Sequence, residues 1–131
     1  MKINILVPLI GTLLSVSAFA MDCPVHFGAS YLDQVQQVIE SQKDCAAASA
    51  MTEACAMGSS MDVAFVDSAL KICDRRIQHA STAIQQQVES AKQLCDQKYS
   101  HSAGTLAMSA RAFCSLDVSK LYDDLLSPSD L

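Results

Sequence analysis

The stretch MDVAFVDSALKICDRRIQHASTAIQQQVESAKQLCDQKY, residues 61–99, holds neither glycine nor proline and decides the fold. Val66, Leu70, Cys73, Ile77, Ala80, Ile84, Val88, Ala91 and Cys95 recur at steps of three and four, so they share one face of a helix. The opposite face, with Asp67, Lys71, Asp74, Arg75, Gln78, Gln85, Glu89 and Lys92, is polar. As one helix this stretch would be about 57 Å long, whereas a domain of this size has a radius of gyration near 13 Å. A compact chain would break at His79-Ala80-Ser81-Thr82, where Ser81 or Thr82 can cap a new helix and Thr82-x-x-Gln85 resembles a capping box. The apolar stripe nevertheless keeps its phase across that point, so one helix and two remain open.

Upstream, Pro24 and Gly28 mark an extended lead-in tied down by Cys23. Ser30 stands as an N-cap with Asp33 as its capping acid. A helix is expected from there through Leu32, Val35 and Ile39 and on through the alanine-rich run Cys45 to Ala56. Gly58-Ser59-Ser60 ends it, with Ser60 as the next N-cap. Downstream, residues 100–104 form a turn, and Ser102 or Thr105 caps a last helix with apolar positions Leu106, Ala110, Phe113, Leu116, Leu121 and Leu125, stopped by Pro128. No segment alternates with period two. The expected fold is all-α, a disulfide-stapled antiparallel helical bundle of three to four helices.

Residues 1–20 read as a secretory signal peptide: Lys2, an apolar run from Ile3 to Leu14, and the small-residue end Ala18-Phe19-Ala20. The run is about a dozen residues, interrupted by Pro8 and Gly11, and falls short of the roughly 20 that span a bilayer. Ala20-Met21-Asp22 before Cys23 is not a lipoprotein processing site. The mature chain is expected to begin at Met21, to form a single helical domain over 21–131, to be periplasmic or secreted, and to insert in no membrane after cleavage. Its six cysteines, Cys23, Cys45, Cys55, Cys73, Cys95 and Cys114, read as disulfides in such a compartment. The closest two are ten residues apart, which is not zinc-ligand spacing.

Two antiparallel helices bring together residues whose numbers add to a constant, near 118 for the 58–60 turn. Cys45 with Cys73 meets that condition in every version of the bundle. With an unbroken 61–99 helix, Cys23 falls level with Cys95 and leaves Cys55 and Cys114 unable to meet. With a broken one, Cys55 comes near Cys95 and Cys23 reaches Cys114.

Each pattern that would announce catalysis is missing its company. His26, His79 and His101 lie on separate segments without an i, i+4 partner. No Gly-x-Ser-x-Gly turn occurs, the carboxylates are scattered among Lys and Gln, and oxidised cysteines are not nucleophiles. Met51, Met57, Met61 and Met108 read as core filling between alanine-rich helices. The expectation is no enzyme, no metal and no cofactor. Fourteen Asp and Glu against nine Lys and Arg give the chain a net charge of −5, or −6 without Lys2. That balance argues against nucleic acid and allows a basic protein as partner, with Asp117, Asp123, Asp124 and Asp130 as the contact carboxylates.

Asp44-Cys45, Met51, Cys55-Ala56 and the late Cys114 after Arg111-Ala112-Phe113 resemble the N-terminal domain of LprI-type lysozyme inhibitors over about seventy residues. The chain has Ala48-Ser49-Ala50 where that family has Thr-Gln-x-Glu, a Met-to-Cys spacing one residue longer, and no tryptophan near the late arginine. What the resemblance implies is a small exported helical protein that inhibits a basic muramidase without catalysis. A carrier of a small apolar ligand and a structural envelope protein are the alternatives.

Overall fold

The computed structural model describes residues 22–128. The expected signal peptide and Asp130 lie outside the described residues. Five helices follow one another: α1 (Tyr31–Glu40), α2 (Cys45–Cys55), α3 (Met61–Gln78), α4 (Thr82–Tyr99) and α5 (Thr105–Leu126). The chain is therefore an all-α, disulfide-stapled bundle. Among the described residues the helices number five because the expected continuity from Ser30 to Ala56 breaks and residues 61–99 take the two-helix alternative, divided at the His79–Thr82 point.

The first break separates α1 from α2. Ser41 turns its N–H back to the Gln37 and Ile39 carbonyls, and Asp44, in extended backbone, accepts the Ala47 N–H at 2.8 Å as the N-cap of α2. A carboxylate that captures a free amide stabilises a helix start strongly enough to end the preceding helix without glycine or proline. The second break is at residues 79–81. There the Ser81 hydroxyl caps α4 by accepting from Ile84 N–H, and the Gln85 amide donates to the Gln78 and Ala80 carbonyls that α3 leaves free. Ser30 and Ser60 do occupy N-cap positions, but neither side chain caps its helix.

α3 is the axis of the bundle. Its buried residues, including Phe65, Val66, Ala69, Ile72 and Cys73, spread over more than one face because α1 and α2 pack on one side and α5 on another. Tyr31, Val35 and Ile39 supply the α1 side of the core, and Ala48, Met51 and Cys55 the α2 side. Tyr31 lies between Phe27 and Phe65, with ring centroids 5.2 and 6.0 Å away, and donates its hydroxyl to the Cys55 carbonyl at 3.0 Å. α4 is the outermost helix. It rests on α5, touches α3 little, and buries only Val88 and Cys95.

Three disulfides close the described chain: Cys23–Cys55, Cys45–Cys73 and Cys95–Cys114. Cys45–Cys73 is the bridge that the register about the 58–60 turn predicts. The other expected partnerships, Cys23 with Cys95 or Cys114 and Cys55 with Cys95, do not form. The break after Glu40 is the reason. It reverses the chain, so the lead-in returns to the end of α2 and Cys23 meets Cys55 directly. Three disulfides fit an oxidising compartment. No helix of the described residues is long and apolar enough to cross a membrane.

α5 packs on α3 through polar side chains. Asp62, fully buried in the first turn of α3, accepts Met57 N–H at 3.0 Å, Ser59 N–H at 3.1 Å and the Ser109 hydroxyl at 2.7 Å. Asp74 accepts the Ser119 hydroxyl at 2.6 Å and Lys92 Nζ at 3.0 Å, joining α3, α4 and α5. Arg76 donates to Asp123 at 3.2 Å and also to Ser127. These pairings rise together along both helices, so α5 runs parallel to α3. α5 accordingly turns Ser109, Leu116, Ser119 and Asp123 inward, while Leu106, Leu121 and Leu125 stand 70, 57 and 69% exposed. Leu116 is in the core as expected, while Leu106, Leu121 and Leu125 are outside because a buried carboxylate without donors is costlier than an exposed leucine.

Asn at position 62 offers one acceptor oxygen to three donors. Asp62→Asn is therefore expected to cost about 1–3 kcal/mol, read as a lower urea midpoint. A parent-like midpoint would show that the donors do not depend on the carboxylate. Burial raises the Asp123 pKa above the ordinary carboxylate value; Arg76 opposes this, and Asp124 and Asp44 reinforce it. A raised folded-state pKa means that the folded chain binds this proton more tightly than the unfolded chain. The stabilising contribution is complete below the unfolded pKa of about 3.9 and is lost as pH rises through the folded value. Thermal melts of Asp123→Asn should gain on the parent as pH goes from about 3 to neutrality; a constant difference would refute this.

Candidate functional site

The described residues do not converge on one catalytic centre. His26, His79 and His101 are exposed on separate segments, and no group of three His, Cys, Asp or Glu among the described residues is placed to hold a metal ion. All six cysteines are bridged. Met51 is buried, but Met57 and Met108 are 51 and 45% exposed, so they do not fill the core.

Apart from the buried, hydrogen-bonded Asp62, the described acidic residues divide into two populations. Glu40, Asp44, Asp74, Asp96 and Asp123 are in ion pairs with Lys71, Lys43, Lys92, Arg111 and Arg76. Lys71 and Ser68 hydrogen-bond to Glu40 and hold its pKa below the ordinary range. Asp22, Asp33, Glu53, Asp67, Glu89, Asp117 and Asp124 are exposed and outside every ion pair among the described residues; of the cations, Arg75 and Lys98 are so placed, and Lys120 is half-buried and outside these pairs. Of the carboxylates expected to meet a partner, Asp117 and Asp124 do face solvent on α5. Asp123 does not. It is 7% exposed, turned to Arg76, and belongs to the internal seam.

Asp117 lies among apolar groups. Between α4 and α5 runs an open groove of about 500 Å³, lined by Tyr99, Phe113, Val118 and Leu121 with Lys98 and Asp117 at its polar points. Cys95–Cys114 fixes the two helices that form it. The Lys98 ammonium stands 5.4 Å from the centroid of the Tyr99 ring. Leu121 is part of that lining, and Leu125, one turn further along α5, is also exposed. Contiguous exposed leucines of this kind mark contact surfaces more often than scattered ones.

Sequence reasoning picked out Asp117 and missed its setting, because it assigned the neighbouring apolar positions of α5 to the core. The available signal was the second periodic set on the same helix: Ser109, Ala112, Leu116, Ser119 and Asp123 also recur at steps of three and four. Small and hydroxyl-bearing residues on that face suit close approach to buried carboxylates on a neighbouring helix.

No family model, no curated protein and no solved structure matches this chain.

Proposed function

We propose that this is an exported, non-enzymatic binding protein whose contact surface is the α4–α5 face and whose partner is a basic protein. The observation that carries the reading is the exposed apolar side of α5, with Leu121 one turn from the unpaired carboxylate Asp117 and Leu125 next to the unpaired Asp124. Leucines supply the apolar anchor of an interface, and carboxylates outside any internal pair attract cationic partners and exclude anionic ones. The excess of unpaired carboxylates over unpaired cations on the remaining helices extends that attraction beyond the groove. A groove open along its length suits a segment of a macromolecule better than a small enclosed ligand.

The resemblance of Asp44-Cys45, Met51, Cys55-Ala56 and Cys114 to the lysozyme inhibitor pattern makes a basic muramidase the named candidate. Export to the periplasm or medium, with removal of residues 1–20, belongs to the same proposal and is supported by the three disulfides. N-terminal sequencing of protein purified from its natural source should begin Met-Asp-Cys; an intact Met1 would overturn processing at Ala20.

Stoichiometric protein should inhibit lysozyme at low ionic strength. Exposed charges are screened over about 8 Å at physiological salt, so added salt should slow association while the apolar anchor keeps dissociation nearly constant. Leu121→Ser with Leu125→Ser should instead speed dissociation. Absence of inhibition at low salt would remove muramidase as the partner.

A further inference from the structure

We propose that the groove between α4 and α5 is a receptor for a single cationic side chain, the guanidinium of an arginine or the ammonium of a lysine, presented by a partner segment with an apolar residue beside it. The inference rests on the α4–α5 face being the contact surface and names what enters it. Two aromatic rings, Tyr99 and Phe113, and one carboxylate, Asp117, line the same groove. The face of an aromatic ring is electron-rich and attracts cations, while it repels anions. Asp117 makes no ion pair with any described residue, so its charge is free to complete a contact with an incoming cation. Leu121 and Val118 line the same groove and supply the apolar surface for a neighbouring side chain.

The chain already places a cation of its own there. Lys98 Nζ lies over the Tyr99 ring at 5.4 Å, yet does not come within ion-pair distance of Asp117. The aromatic wall is thus occupied by a tethered lysine, while the carboxylate beyond it is left unmatched. An arriving guanidinium can meet Asp117 with a forked pair of N–H donors and stack its plane on an aromatic ring, which favours arginine over lysine. Lys98 opposes that arrival by like charge and by covering Tyr99.

The probe is N-acetyl-leucyl-arginine amide, titrated into the 15N-labelled protein at low salt and followed by amide chemical shifts, with the citrulline analogue as the uncharged control. Shifts confined to Lys98 and Tyr99 and to residues 110–121, with no saturable response to citrulline, are expected. Asp117→Asn should weaken binding about threefold to fivefold, the scale of one exposed charge pair, while Asp33→Asn on α1 leaves it unchanged. Lys98→Ala should tighten it about twofold or more. Asp117, Asp33 and Lys98 are exposed and none is in an ion pair within the described chain, so matching melting temperatures will confirm that the variants fold alike. Citrulline binding as well as arginine does, equal effects of the Asp117 and Asp33 variants, or weaker binding on loss of Lys98 would each overturn the proposal. The titration contains no lysozyme. A failure to inhibit lysozyme therefore removes the muramidase reading without touching this one, and a peptide that does not bind overturns this one even where lysozyme is inhibited.

Discussion

The hydroxyl of Ser109 donating to the buried carboxylate of Asp62 sets the rotation of α5, and the surface of the molecule follows from that rotation. A carboxylate withdrawn from water at the start of α3 needs donors. Two come from backbone amides of the preceding turn, and the third has to come from the helix that covers it. Asp74 repeats the demand three turns later and takes Ser119. Once Ser109 and Ser119 both face α3, Leu116 between them is the large apolar residue that α5 can fully bury there, and the remaining leucines are left at the surface. The exposed face is therefore the geometric complement of a fully hydrogen-bonded interior.

Much of this architecture is legible from pattern. The apolar stripe of residues 61–99, the glycine-serine turn after α2 and the absence of period-two segments are enough for an all-α bundle, and the register about residues 58–60 identifies Cys45–Cys73. The same rule applied to the turn at 100–104 requires residue numbers that add to about 204, whereas Cys95 and Cys114 add to 209, an offset of about 7.5 Å along the helices that the rule does not match to a bridge. The break at Ser41 to Asp44 was not readable from pattern either. It carries no glycine or proline, and its cause, an Asp44 oxygen accepting an amide 2.8 Å away, competes with a strongly helical alanine run by a margin that propensity does not rank. With that reversal missed, Cys23–Cys55 could not be found.

The candidate surface was the least legible part for a related reason. α5 carries two sets of residues at helical spacing, one of leucines and one of serines with an aspartate. Hydrophobicity alone selects the leucines for the interior. Only the identity of the helix opposite, with Asp62 and Asp74 already committed inward, reverses the choice. Asp123 illustrates the same limit: in sequence it is one of several acids near the chain end, and in the fold it is the inner partner of Arg76.

The placement of the cystines divides the described chain into two covalently closed parts. Cys23–Cys55 and Cys45–Cys73 overlap in sequence and lock α1, α2 and α3 together, whereas Cys95–Cys114 closes α4 on α5, and no bridge joins one part to the other. Between them lies the α3–α5 contact, with its hydrogen bonds, its ion pair and the buried Leu116, crossed covalently by the backbone alone. Each cystine lowers the entropy of the unfolded state by an amount worth about 3 to 4 kcal/mol in the chain-entropy account, but that gain acts within a part and not across the seam. What holds the two parts together is therefore the packing of α3 on α5, where Leu116 joins the core of α1–α3 and the polar seam runs beside it, so reduction of any one cystine leaves that joint without a covalent change.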